Sequence, residues 1–403
     1  MKLPRKNTLR WLFPLAFICS CVLFWWSPSI LMAWFHIAND MKVWTLEVSA
    51  AALCVFVFGY LFSFRLFRRP FISPRVTAIS NDFAFKATVA LAVPALIVGT
   101  KFAIYRAGVT YGEGHSIPFS TQAVLYLHMF FAYLFLGSVP TCKGKDRRKI
   151  LWTTALVLTP RILITLHWGR FFAGQTIAAI LFIALARGWM KMSLKRWMQL
   201  SLIAVLVFLG PVLLRDRGAT TAEIVGGSAQ LAKFFGQGST LNFFQVYHND
   251  LNSDCPPLLV SLTERVVPYK MLGVCTMQVG NVKGVPETVE NLLTRQDSNN
   301  LMTGTGSIYI FGLYLAGGVP GIMIGSFLFG MCCRWWVERL GHASLFAGIW
   351  AECLVRSLFA PRGSLGYEFQ RIPSLILATL GVVLLCQLID ILQVRSPALG
   401  AEI

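Results

Sequence analysis

Apolar runs of about twenty residues, one after another, punctuate this chain. A helix crossing a hydrocarbon core about 30 Å thick needs about that many mostly apolar residues, because each helical residue advances about 1.5 Å. Ten such runs fall near 11–33, 44–64, 84–104, 118–139, 150–168, 171–190, 198–214, 305–331, 343–359 and 372–393. The fifth and sixth are the most interrupted, by Arg161, His167 and Arg170. Charged residues make up only 13% of the sequence, against about 25% in ordinary soluble proteins. Mean hydropathy is +0.62, so the chain lacks the material for a water-facing surface. The expected fold is an all-α polytopic membrane protein with about ten transmembrane helices and one large periplasmic loop carrying short helices.

The net charge of +18 would suit nucleic acid if the basic residues formed one patch. They come instead in short clusters between the apolar runs, the pattern that orients a membrane protein. With the N-terminus inside, the cytoplasmic segments collect Lys2, Arg5, Lys6 and Arg10, then Arg65, Arg68, Arg69 and Arg75, then Lys143, Lys145, Arg147, Arg148 and Lys149. Arg187, Lys191, Lys195 and Arg196 follow, then Arg334 and Arg339, and finally Arg395. This alternation places both termini in the cytoplasm. The basic start followed by the run from Trp11 to Trp26 resembles a signal peptide. No small-residue cleavage pattern follows, and apolar sequence continues past Pro28 to Phe35, so an uncleaved first span is expected.

Three parts are expected: an N-terminal bundle of about seven spans over 1–214, the large loop over 215–303, and a C-terminal bundle of about three spans over 304–403. The loop is long, mixed in polarity and nearly balanced in charge. Thr221 to Phe235 and Leu258 to Leu272 suit amphipathic or interfacial helices. No internal repeat of the kind that marks many secondary transporters is visible. Eight of the ten cysteines lie in or beside spans or on the cytoplasmic side and suit buried apolar positions. Cys255 and Cys275 lie in the loop, where an oxidising periplasm would permit a disulfide.

Ionisable groups in or near the outer half of a span are costly and so point to function. Here they are mostly arginines: Arg161 after Pro160, Arg170 at the turn into the sixth span, Arg215 and Arg217 at the start of the loop, Arg356 in the ninth span, and Arg362 and Arg371 around the turn PRGSLGYEFQR. Together they describe a cationic ring at the outer surface. A guanidinium keeps its charge and forks two donors onto a phosphate. The plainer alternative is that some of them snorkel to headgroups or pair with acids. Glu352, four residues before Arg356, is spaced to be its partner on one helix face. His248, in QVYHNDLNSD, has the imidazole of a general base toward a sugar hydroxyl, or is simply a solvated loop residue. His167 sits close to Arg170; His115 and His128 have no special context.

The sequence has no GxxxxGK[ST] loop, no HExxH and no CxxC pair. The first external turn, HIANDMK, carries a single acid, Asp40, where metal-dependent multispan glycosyltransferases usually place paired carboxylates. No metal site and no cofactor are assigned. Gly317, Gly321 and Gly325, four apart in the eighth span, suit close helix packing, and Pro320, Gly304 and Gly306 suit a bend near its outer end.

The segment HWGRFFAGQ, the large late loop, the following TGTGSIYIFGLYLAGGVPG and the turn PRGSLGYEFQR together resemble the O-antigen polymerase, or oligosaccharide repeat-unit polymerase, family of bacterial inner-membrane proteins. The resemblance implies glycosyl transfer on the periplasmic face. A chain carried on undecaprenyl pyrophosphate would move to the terminal sugar of a newly delivered repeat unit, in surface polysaccharide or O-antigen synthesis. It implies a metal-independent glycosyltransferase whose pathway partners include a flippase and a chain-length regulator, with no nucleic acid. Arginines would steady the charge developing on the leaving pyrophosphate. On that basis Arg161, Arg170 and His248 are the expected catalytic residues, and Arg215, Arg217, Arg356, Arg362, Arg371, Glu352 and His167 line the substrate. Rival readings of the same layout are an O-antigen ligase, a transporter or flippase of lipid-linked substrate, and a structural partner in an envelope assembly.

Overall fold

The computed structural model describes residues 8–26, 43–63, 78–107, 119–140, 142–165, 171–190, 309–361, 369 and 371–399. Among them the regular elements are all helical: α1 (Thr8–Cys21, continued by a wider π turn over Val22–Trp26), α2 (Val43–Phe62), α3 (Ala78–Ala107), α4 (Phe119–Ser138), α5 (Gly144–Thr165), α6 (Phe171–Ala186), α7 (Tyr309–Leu340), α8 (Ala347–Phe359) and α9 (Ile372–Leu399). Four stretches are long and apolar enough to cross a membrane: Val43–Phe62, Asn81–Ile104, Gly317–Leu340 and Ile372–Ile389. Shorter apolar helices cover Leu9–Cys21, Ala123–Ser138 and Ala173–Ala186. The expected span at 198–214 lies outside the described residues, as does the whole loop 215–303 with Cys255 and Cys275.

What these helices leave uncovered identifies their solvent. Val89, Val93, Ile97 and Ile104 are exposed along α3, and Leu377, Leu380, Leu384 and Leu388 along α9. Apolar stripes of this length do not face water in a soluble monomer; lipid covers them. An aromatic core lies where α1, α2 and α7 join, with Phe17 stacked on Phe56 at 3.8 Å between centroids and Phe329 5.5 Å from Phe56. The helices α2 and α7 touch along their length through glycine. A Cβ on Gly330 would stand 2.1 Å from the Phe56 carbonyl oxygen, and one on Gly59 2.2 Å from that of Phe327.

Helix α8 is the axis of the bundle. It packs against α1, α4, α6, α7 and α9, and nearly all of it from Ala347 to Ser357 is buried. A helix covered on every side carries side chains that touch only protein, so a charge on it must find its partners inside.

The eighth expected span is not a continuous helix. The chain breaks at Gly317 and Gly318, and Gly318 holds φ 62°, ψ −150°, a region essentially confined to glycine. Along a straight helix positions 309 and 329 would lie ~30 Å apart, yet the rings of Tyr309 and Phe329 are 5.5 Å apart. The segment from Tyr309 therefore folds back on the rest of α7, with Leu313 seated against Gly325. Gly325 serves the packing of this hairpin, not a neighbouring helix, and Gly317 faces open space. Gly330 makes the inter-helix contact that Gly317 and Gly325 do not.

One end of the bundle is tied by basic residues. Arg187, just past α6, donates to the carbonyls of Leu340 (3.1 Å), Val139 (2.6 Å), His342 (2.9 Å) and Gly137. These are carbonyls at or just past the C-terminal ends of α4 and α7, where a cation is favoured. Burial lowers the Arg187 pKa to about 10, which leaves it cationic at neutral pH. At the same end Glu338 accepts from Arg334 and Arg10, each at 2.5 Å, while Arg334 also covers the Tyr60 ring. Arg334 and Arg339 belong to α7 and Arg10 to α1; Arg334, expected in a cytoplasmic connection, is 2% exposed.

Candidate functional site

At the opposite end α4, α5, α6 and α8 enclose a small hollow lined by Tyr126, Met129, Arg161, Gln175, Thr176, Glu352, Arg356 and Arg371. Arg161 comes from near the Thr165 end of α5, Tyr126 and Met129 from the Phe119 half of α4, Gln175 and Thr176 from just inside the start of α6, and Glu352 and Arg356 from the second half of α8. Arg371 stands immediately before α9. The elements alternate in direction, so residues far apart in sequence reach one depth.

A close crossing sets that depth. A Cβ on Gly348 would lie 2.5 Å from the Tyr133 carbonyl oxygen of α4, so α4 and α8 touch backbone to backbone there. Ser344 also donates its backbone N–H to the Gly137 carbonyl at 3.1 Å. Further along the same two helices, Glu352 and Arg356 come opposite Met129 and Tyr126.

Each arginine is held differently. Arg356 donates through Nε (2.8 Å) and Nη2 (2.6 Å) to the single oxygen Oε1 of Glu352, as their spacing on one helix face predicts. Glu352 is 2% exposed, and its other oxygen, Oε2, has no hydrogen-bond partner among the described residues. Arg161, 4% exposed, donates to the Leu125 carbonyl at 3.2 Å and to the Met129 sulfur at 3.4 Å. Its guanidinium lies 5.5 Å from the Tyr126 ring centre, and Arg371 lies 4.5 Å from the same ring while donating to the Tyr126 hydroxyl. Cation–π contact of this kind contributes about 0.5–2 kcal/mol. Burial lowers the Arg371 pKa from its usual value. Three guanidiniums facing one carboxylate leave the hollow cationic.

Three of the arginines expected at the surface as a ring thus meet inside the bundle. Arg161, Arg356 and Arg371 are together, and Glu352 with them. Arg170, His167, Arg215, Arg217, Arg362 and His248 lie outside the described residues. Tyr126, Met129, Gln175 and Thr176 were not singled out in the sequence. Gln175 closes the segment HWGRFFAGQ, and polar side chains inside an apolar helix are themselves a signal. His128, given no special context in the sequence, is 1% exposed, and its Nε2 has no hydrogen-bond partner among the described residues. No group of three or more His, Cys, Asp and Glu gathers among the described residues.

Residues 83–392, which include every group lining the hollow, match the family model of the O-antigen polysaccharide polymerase Wzy. The chain belongs to that family. No curated protein and no solved structure matches it. The polymerase is therefore a membrane enzyme that transfers glycosyl groups, joining lipid-linked oligosaccharide repeat units in surface-polysaccharide synthesis. The resemblance read in the sequence and the family agree.

Proposed function

We propose that the hollow holds the diphosphate of an undecaprenyl-pyrophosphate-linked oligosaccharide while its glycan passes to the next repeat unit. The observation that carries this reading is the convergence of Arg161, Arg356 and Arg371 from three separate parts of the chain. A guanidinium stays charged and forks onto phosphate oxygens, and in a site walled off from water such donors stabilise leaving-group charge far better than in solution. The charged head group meets the arginines, with the sugars and the prenyl chain lying outside the hollow.

On this reading the hollow opens to the periplasmic side of a bacterial inner membrane. The polymerase has about ten spans and both termini in the cytoplasm, and residues 1–214 and 304–403 form the bundles on either side of the loop 215–303. Arg170, Arg215, Arg217 and Arg362, with His167, extend the cationic surface from adjoining segments, and His248 of the loop acts on the incoming sugar. The reaction runs without metal or nucleotide. A flippase delivers the repeat unit and a chain-length regulator governs release.

Single Arg161→Ala, Arg356→Ala and Arg371→Ala variants test the reading in a strain deleted for the gene. Each is expected to cut polymer by about 100-fold or more at equal protein level, leaving a single repeat on the core. Full polymer ladders from all three would overturn it.

A further inference from the structure

Transfer of a glycan to a sugar hydroxyl requires a group that takes the hydroxyl proton. The sequence offers His248 for that task; the hollow itself holds another group beside the arginines. Resting on the diphosphate reading above, we propose that Glu352 is the catalytic base of the polymerase, accepting the acceptor's proton on Oε2.

Glu352 has two differently used oxygens. Oε1 takes both donors of Arg356, at 2.8 and 2.6 Å, while Oε2 is buried and accepts from no described residue. A buried carboxylate oxygen left unpaired costs about 1–3 kcal/mol or more, and such exceptions call for an explanation. Were the pair only structural, the fork of Arg356 would be expected to spread over both oxygens, as arginine and carboxylate commonly do. Here Arg356 fixes the carboxylate through one oxygen and leaves the other for a donor that arrives with substrate.

The acceptor hydroxyl is that donor. Its oxygen attacks the anomeric carbon of the lipid-linked glycan and a new C–O bond forms. The bond from that carbon to the pyrophosphate oxygen breaks, and its electron pair leaves on the phosphate, facing Arg161, Arg356 and Arg371. The attacking oxygen becomes strongly acidic as it bonds to carbon, so a carboxylate suffices to take its proton. Its proton passes to Oε2 and is afterwards lost to water. Arg356 then serves both ends of the reaction, holding the base on one side and meeting the leaving diphosphate on the other.

The test uses the full chain in detergent, with undecaprenyl pyrophosphate as the binding probe and a lipid-linked repeat unit as substrate. Glu352→Gln keeps the shape and an oxygen for Arg356 but cannot take a proton at neutral pH. It is expected to bind the probe within about threefold of the native chain, and to polymerise about 100-fold or more slowly. Glu352→Gly is expected to regain part of its rate with added formate, a small carboxylate that can stand in the vacated place. Should Glu352→Gln not be recovered folded, Glu352→Gly carries the same comparison, and a native rate without formate counts against the proposal. Normal polymerisation by Glu352→Gln overturns it while leaving the arginine reading intact. Loss of probe binding in Glu352→Gln overturns it also, since Glu352 then acts only by placing Arg356. Failure of the native chain to bind the probe sinks the arginine reading itself.

Discussion

Arg356 and Glu352 stand one helical turn apart on the most enclosed helix of the bundle, and that burial governs what a change at either residue does. Removing one member of a buried ion pair leaves its partner charged and unpaired, at a cost of about 3–5 kcal/mol, whereas replacing both with apolar residues of similar volume is often neutral. Glu352→Ala is therefore expected to lower thermal stability far more than the double change Glu352→Met with Arg356→Met. Thermal unfolding of the two proteins in detergent checks this. A double variant as unstable as the single would mean that the pair contributes mainly by attraction. Polymer formation is expected to vanish in both, which separates stability from activity at this pair.

At the scale of elements, close approach of helices is what aligns the hollow. The helices α2 and α7 meet backbone to backbone at Gly59 and Gly330, where a Cβ would fall on the Phe327 or Phe56 carbonyl. Neither carbonyl can swing aside as a flexible side chain would. Gly330→Ala is expected to destabilise the bundle by roughly 1–3 kcal/mol. Gly381→Ala, in α9 where nothing lies within 4 Å of the added carbon, is expected to be silent. Parallel thermal unfolding of both variants checks the contrast, and equal effects would show that the α2–α7 crossing is not tight. The break at Gly317 and Gly318 is a second element-scale device. Backbone that leaves the helix at membrane depth must be covered by protein or line a cavity, and here the returning segment is covered by Trp25, Phe17 and Phe329 around Tyr309.

In the molecule as a whole, charge is divided between two ends with different uses. One end gathers Arg187, Arg334 and Arg10 against carbonyls and Glu338; the other gathers Arg161, Arg356 and Arg371 around the hollow. The first set holds helices together; on the proposed reading the second faces substrate. Arg187→Ala leaves four carbonyl contacts unmade and is expected to lower the unfolding temperature. The surviving folded protein should keep its affinity for the lipid-linked repeat unit, because no group of the hollow touches Arg187. A binding measurement on folded Arg187→Ala protein checks this, and a large loss of affinity would show that the two ends are coupled.

The lipid-spanning helical class was legible from the chain alone because it depends on local quantities. Run length and apolar content decide whether a segment can cross hydrocarbon, and both can be counted along the sequence. The pairing of Glu352 with Arg356 was legible for the same reason, since a spacing of four is one turn of helix. Arg161 and Arg371 could be singled out as ionisable groups within or beside apolar runs, but nothing local says that they share a hollow. Their meeting over the Tyr126 ring depends on the order in which α4, α5, α8 and α9 pack, and on the Gly348 crossing that sets their depth. The same holds for the hairpin within α7: its sequence reads as one apolar run, and only the contact of Leu313 with Gly325 reveals that it doubles back. Composition along a chain decides the solvent in which it folds. Which distant side chains come to face one another is decided by packing, because those contacts join positions that sequence keeps far apart.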